Sequence, residues 1–174
     1  MTTAAPSEFS RPVALDRATA APHFREIVAT EAERAALAGR LGLVALDQLS
    51  ARLSWRREAG GLICLEGELE AQVTQSCVVT LEPVAARVTD RFVRRFLQGS
   101  APAEEEVVID PEADDPPEPL GDGVVDVGEI VTQQLALALE PYPRAPGSVL
   151  PAEAARATPA ESPFQVLATL KTGQ

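Results

Sequence analysis

The clearest pattern in the chain is the alternation of apolar and polar residues on both sides of Ala59-Gly60-Gly61. Residues 49–56 and 65–71 each carry an apolar or small residue at every second position, which predicts two half-buried strands. A two-residue Gly-Gly turn would place Leu53 opposite Glu68, whereas a three-residue loop keeps apolar residues opposite apolar ones, so we predict the longer loop. The predicted pairs are Ala51 with Leu69, Arg52 with Glu68, Leu53 with Gly67, Ser54 with Glu66 and Trp55 with Leu65.

A third alternating strand is predicted over residues 84–97, after a turn at residues 77–83. Asp90 and Arg94 interrupt its apolar face, so we expect a β-bulge or an open end there. The apolar face is predicted to carry Val84, Ala86, Val88, Phe92 and Phe96. The other face is predicted to carry Arg87, Thr89, Arg91, Val93 and Arg95.

The first part of the chain predicts an edge strand, a connector and a helix. Residues 9–15 contain a proline, which an edge strand tolerates because its N–H side need not donate. Residues 16–29 predict an irregular connector. Thr30 with Glu33 predicts a capping box that opens a helix over residues 31–41.

A second helix is predicted over residues 127–139. Asp126 is its expected cap, again with a glutamate, Glu129, three residues later. The apolar residues between them and Pro141 recur with helical spacing, and the proline ends the helix.

The acidic residues are concentrated in one segment of the chain. The formal net charge is −11, and no Lys or Arg occurs between Arg95 and Arg144, where 12 of the 26 acidic residues lie. Residues 99–123 combine this charge with five prolines. Such a composition buries too little apolar surface to offset the entropy of ordering. We therefore predict a mobile acidic loop in which residues 107–109 alone contact the body.

Together these elements predict one α+β domain. An antiparallel β-sheet, made of a meander of at least three strands plus an edge strand, is packed by two helices. Residues 1–8 are predicted as a flexible N-terminus and residues 9–147 as the domain. Residues 148–174 are predicted as a C-terminal tail whose short helix, residues 163–171, needs a surface to dock on.

The composition also limits the cellular setting. The first residues lack an apolar run between a basic start and a cleavage site, so we expect no signal peptide. No apolar run approaches the roughly 20 residues that a membrane helix requires. Two cysteines give no disulfide framework. We expect a cytoplasmic protein without a membrane partner.

Catalytic chemistry finds little support in the residues. Cys77 as a nucleophile would need a base, and the only histidine is His23, far away in sequence. A zinc site needs about four ligands in closely spaced pairs, whereas Cys64 and Cys77 are thirteen residues apart. No phosphate-binding loop or hydrolase motif is present. We predict no catalytic residue, metal or cofactor and no small-molecule substrate, and we expect Cys77 to be a buried structural thiol.

Arginines recur at every fourth position of the third strand, which places Arg87, Arg91 and Arg95 on one face. With Arg94 and Arg40 they would form a patch for phosphate oxygens. The alternative is a solvated face on which they pair with the glutamates of the preceding strand. Those glutamates are Glu66, Glu68 and Glu70.

Residues 67–96 and 126–147 carry a resemblance to the YceD-like family of bacteria and chloroplasts, and the resemblance covers residues 9–171 nearly end to end. A Gly-led strand runs into a Cys and a Leu-x-Pro turn, and an acidic spacer leads to an Asp-x-Gly-Glu helix start and an LALALEPYP helix end. The residues that carry these features are Gly67, Cys77, Leu81, Pro83, Asp126, Gly128, Glu129 and Pro141. The closing sequence SPFQVLATLK is similar to the end of alphaproteobacterial members.

This resemblance implies a role in the accumulation of large-subunit ribosomal RNA, through its synthesis, processing or stability. Family members are often encoded beside a large-subunit ribosomal protein, and no enzymatic activity is established for them. Many members carry Cys-x-x-Cys at the turn and further cysteines after the second helix. Here the second position is Thr80 and residues 142–147 contain no cysteine, so a zinc site of such relatives is not carried over.

We therefore predict a non-enzymatic factor in bacterial ribosome biogenesis. Its partner would be large-subunit ribosomal RNA or a pre-ribosomal particle, contacted directly or through a ribosomal protein. Direct contact would join phosphates to Arg87, Arg91, Arg94 and Arg95. The alternative is an acidic adaptor that binds a basic ribosomal protein and acts on the RNA indirectly. A hydrolase is a more distant alternative, which a deep pocket at Cys77 or His23 would support.

Overall fold

The computed structural model describes residues 7–98 and 116–149, which form seven strands and two helices. The strands are β1 (Pro12–Ala14), β2 (His23–Val28), β3 (Ala45–Arg57), β4 (Leu62–Ser76), β5 (Pro83–Gln98), β6 (Glu118–Leu120) and β7 (Val124–Asp126). The helices are α1 (Glu31–Leu41) and α2 (Val127–Ala138), and short 3-10 turns cover Leu15–Arg17 and Ala59–Gly61. None of the helices in the described ranges is long and apolar enough to cross a bilayer.

Strands β2 to β6 form one five-stranded sheet in sequential order. The first four strands run antiparallel, and β6 joins parallel to β5. The predicted three-residue loop, residues 59–61, is closed by a hydrogen bond of 2.7 Å from the Glu58 N–H to the Leu62 carbonyl. It places Trp55 opposite Leu65 and Leu53 opposite Gly67. The predicted register is confirmed, and so is the α+β class, because two helices complete the fold.

One face of this sheet forms the core. Leu49, Leu65 and Leu69 of β3 and β4 are fully buried, and α1 and α2 bury Leu37 and Leu135 in the same cluster. Burial of each large apolar side chain contributes about 1.5–3 kcal/mol, which makes this layer the main source of stability. The opposite face, which we call the outer face, carries polar side chains that remain partly or fully exposed.

The two helix starts differ in their caps. Thr30 and Glu33 form the predicted capping box. The Glu33 N–H donates to the Thr30 hydroxyl at 3.4 Å, and the Thr30 N–H donates to the Glu33 carboxylate at 2.7 Å. Asp126 caps α2 by accepting the N–H groups two and three residues later. The carboxylate of Glu129, three residues after this cap, binds Arg40 at 2.6 Å.

Two predictions for the first thirty residues need correction. Residues 16–29 are not an irregular connector, because they contain β2. Only Ile27 of this strand is buried, while Phe24 remains 77% exposed, so the alternation that marks the other strands is missing. β1 forms a separate two-stranded ribbon with β7, in which Val13 lies opposite Val125.

The acidic segment is also more structured than predicted. Leu120 in β6 is buried and lies beside Gln98 at the end of β5, so the prediction that residues 107–109 alone contact the body is wrong. Residues 107–109 themselves lie outside the described residues, as does the predicted docking helix at residues 163–171.

The predicted bulge in β5 is wrong as well. The pairing of β4 with β5 continues without a register shift along both strands. The two polar residues on the core face are instead satisfied by partners: Asp90 accepts a hydrogen bond from Gln134 at 2.7 Å, and Arg94 binds Glu118 at 2.8 Å. Because these partners compensate the polar groups, the strand remains regular.

Candidate interaction surfaces

The outer face carries a row of arginines along β5, which we call the arginine stripe and define as Arg87, Arg91 and Arg95. Register places all three side chains on this one face of the sheet, as predicted. They lie opposite Gln72, Glu68 and Cys64 of β4.

Two members of the arginine stripe are paired with glutamates of β4. Arg87 Nη2 lies 2.9 Å from Glu70 Oε1, and Arg91 Nη2 lies 3.0 Å from Glu68 Oε1. The arginine side chains are 66% and 82% exposed, so each pair contributes less than about 1 kcal/mol to stability. The geometry of these two arginines is that of a solvated, charge-paired face.

The charge alternation extends across four strands. Glu26 lies opposite Arg52, Arg52 opposite Glu68, and Glu68 opposite Arg91. Negative and positive side chains therefore follow one another along this row of the outer face. Opposite charges largely compensate one another on such a surface, which leaves little excess of positive charge to attract a polyanion.

The other two arginines of the predicted patch lie elsewhere, so its predicted extension is wrong. Arg94 is on the core face and binds Glu118. Arg40 leaves α1 and binds Glu129 at 2.6 Å and Glu8 at 3.0 Å. Hydrogen bonding from Arg40 lowers the pKa of Glu129 to about 2. These pairs join the N-terminal segment and both helices, which is a structural role.

A shallow, open groove of about 480 Å³ crosses the outer face between Phe24 and Val93. Both side chains are exposed, and residues of β3, β4 and β5, which include Arg52, Gly67 and Glu68, line the groove between them. Neither Cys77 nor His23 lines this groove, so it gives no support to a hydrolase. His23 instead stacks on Trp55, with ring centroids 5.8 Å apart.

Residues 77–83, which we call the knuckle, fold around a buried sulfur. The Sγ atom of Cys77 accepts N–H groups from Val79 and Thr80 at 3.4 Å each and from Ala145 at 3.2 Å. The turn is closed by a bond of 2.8 Å from the Cys77 N–H to the Glu82 carbonyl. The sulfur therefore holds the turn against the segment that follows α2.

These donors also affect the acidity of the thiol. Hydrogen bonding from Thr80, and then from the Ala145 N–H, lowers the pKa of Cys77 to about 6 although burial opposes this. The residues do not fit a zinc ion, because only one thiol faces the turn and the position three residues later is Thr80, whose hydroxyl is not a zinc ligand of structural sites. Within residues 7–98 and 116–149, no three metal-ligating side chains converge.

The other residues of the family pattern have positions in the fold that explain them. Ring atoms of Phe92 occupy the space that a Cβ on Gly67 would need, and the carbonyl of Phe9 does the same at Gly128. Asp126 caps α2 and also accepts the N–H of Arg11 at 2.7 Å. Pro141 follows the end of α2.

The sequence reasoning missed several surface residues. Phe24 and Glu26 were not identified because their segment lacks alternation, although the run of Phe, Ile and Val in it has β-propensity. The left-handed backbone of Leu81, at φ 62°, was also missed. No sequence signal marks it, because leucine seldom adopts this conformation.

A comparison with protein families gives the biological setting. The family model described as large ribosomal RNA subunit accumulation protein YceD matches residues 65–171, more than half of the 174-residue chain. None of the curated proteins or solved structures compared with the chain matches it. The matched range includes most of β4, the knuckle, β5 and α2, which carry the resemblance, but not residues 9–64, which the resemblance was expected to cover. The chain belongs to the YceD family, and its role lies in the accumulation of the large ribosomal RNA subunit.

Proposed function

We propose that this chain supports large-subunit ribosomal RNA accumulation as a non-enzymatic adaptor that binds a basic ribosomal protein. The observation that carries the proposal is the pairing of Arg87 with Glu70 and of Arg91 with Glu68 on the outer face. A face whose arginines are matched by carboxylates is a poor attractor of phosphates. The chain therefore reaches the RNA through a protein partner.

The charge of the chain supports the same choice. The described residues include 13 basic and 17 acidic side chains, a formal net charge of −4. Residues 99–115 add seven acidic residues and no basic one. A polyanion is repelled by such a protein at long range, whereas ribosomal proteins that contact RNA need Lys and Arg to neutralise phosphates. Opposite charge thus favours the protein partner.

Direct contact with RNA is a second candidate, favoured by the exposure of Arg91. Its side chain is 82% exposed, and an exposed ion pair is weak enough for a phosphate to displace Glu68. A guanidinium can then bind two phosphate oxygens at once.

A binding experiment separates the two candidates. Affinity for precursor large-subunit RNA is measured at two salt concentrations, with Arg87→Glu/Arg91→Glu/Arg95→Glu as the test variant and Arg17→Glu, an exposed arginine elsewhere, as the control. The adaptor predicts weak RNA binding that the stripe variant hardly changes. It also predicts capture of basic large-subunit proteins that weakens when the acidic residues in 104–118 become Asn or Gln, because long-range attraction is reduced. A steep salt dependence that only the stripe variant abolishes would instead establish direct contact.

A further inference from the structure

Exposed apolar side chains gather at the end of the sheet that carries the knuckle. Val78, Leu81 and Tyr142 are 48%, 78% and 71% exposed. The backbone N–H of Val78 donates to the carbonyl of Pro143 at 2.9 Å, which places the knuckle beside the segment that contains Tyr142. We call these three exposed side chains the knuckle patch.

The backbone at Leu81 is strained in a way that displays its side chain. Its φ of 62° makes it the only non-glycine residue with a positive φ in residues 7–98 and 116–149. This conformation is disfavoured for leucine, and an exposed side chain returns little burial energy in compensation. Strained residues persist where the surroundings fix them, and they concentrate at functional sites. Here the hydrogen bonds to Cys77 Sγ and from Leu81 N to the Cys77 carbonyl fix the turn.

The charges around the knuckle patch indicate the chemistry of its partner. Glu82 and Glu140 are exposed at its border. Arg144 is the only basic residue in residues 75–84 and 139–149. An apolar patch with an acidic border is complementary to an apolar side chain flanked by Lys or Arg. A second copy of the chain fits less well, because each copy carries a formal net charge of −11.

We infer that the knuckle patch is the surface on which the basic ribosomal protein docks. This inference rests on the proposed function and assigns it a binding surface. Tyr142 and Leu81 are the anchors, since a rigid aromatic ring and a fixed aliphatic side chain lose little entropy on binding. The acidic border orients the partner and steers its approach. The buried Cys77 sulfur serves as the internal support of the turn.

The experiment uses two variants of the full chain, Leu81→Gly and Tyr142→Ala. Glycine tolerates the positive φ, so Leu81→Gly removes the anchor and should leave the melting temperature unchanged or raised. We expect each variant to bind purified large-subunit precursor particles about tenfold more weakly in co-sedimentation, or worse. Phe24→Ala is the matched control, an equally exposed side chain about 33 Å from the knuckle along β4. It should bind like the wild type.

The outcomes test the inference apart from the proposed function. If wild type does not bind the particles, or binds deproteinised precursor RNA equally well, the proposed function fails. If wild type binds the particles and both variants bind as well as it does, the docking surface is wrong although the adaptor stands. If Leu81→Gly converts a dimer to a monomer with unchanged particle binding, the patch serves self-association and the inference is overturned.

Discussion

At the scale of single residues, the family pattern mostly describes close contacts rather than chemistry. A Cβ on Gly128 would meet the backbone carbonyl of Phe9, and one on Gly67 would meet the ring of Phe92. The resemblance predicted these positions but not their reasons, because each reason involves a residue distant in sequence. Cys77 differs, since its sulfur is held by three N–H donors and its acidity should be measurable.

We expect the two cysteines to titrate far apart. Hydrogen bonding to its sulfur lowers the pKa of Cys77 to about 6, whereas burial raises the pKa of Cys64 above its usual value. Thiolate absorbance in the ultraviolet should therefore show one thiol ionising near pH 6, which Cys77→Ala removes and Cys64→Ala leaves in place. Two thiols that ionise together at the pKa of ordinary cysteines would contradict the described turn.

The lowered pKa of Cys77 also links stability to pH. The native state releases this proton more readily than the unfolded chain, whose thiol has the ordinary value of 9.0. The stabilising contribution is thus complete above pH 9 and is lost as the pH falls through about 6.

At the scale of elements, the sequence predicts the strands and helices whose own residues carry a clear pattern. The β3–β4 hairpin followed from alternation and loop length, and the helix starts followed from their caps. Three strands were missed. β6 and β7 have only three residues each, and β2 buries a single side chain. Pairing with neighbouring strands, rather than a pattern in their own residues, defines all three. The face of the arginine stripe was predictable, but whether Glu68 and Glu70 bind it depends on side-chain geometry across two strands.

The ion pairs that join these elements predict sensitivity to acid. Hydrogen bonding from Arg11, at 2.8 and 2.9 Å, lowers the pKa of Glu33 to about 2, and Arg40 does the same for Glu129. The unfolded chain binds protons at about the ordinary pKa of 4.5. The stabilisation is therefore present above pH 4.5 and is lost as the pH falls through about 2.

Denaturant unfolding at several pH values checks this expectation. The free energy of unfolding should fall by on the order of 1 kcal/mol per pair between these limits, since both pairs are partly exposed. Glu33→Gln and Glu129→Gln should each remove part of that fall. Glu31→Gln, on the same helix as Glu33, is the control. An unchanged pH profile in the first two variants would show that the pairs do not contribute.

At the scale of the whole molecule, charge and shape indicate a protein that meets other proteins. One row of the outer face, from Glu26 to Arg91, alternates in sign, and the described residues are net negative. The exposed apolar side chains of the knuckle patch lie at one end of the sheet. Composition predicted the acidic character of the chain. The knuckle patch could not be predicted, because it depends on the left-handed turn at Leu81 and on the contact between Val78 and Pro143.

The most direct test compares one RNA in two forms. Affinity of the full chain is measured, at a single salt concentration, for precursor large-subunit RNA that is bare and for the same RNA carrying its early-binding ribosomal proteins. We predict binding to the protein-loaded RNA and at most weak binding to bare RNA. Equal affinity for both forms, lost when Arg87 and Arg91 are replaced by Glu, would contradict the adaptor and show that the paired arginines contact phosphate directly.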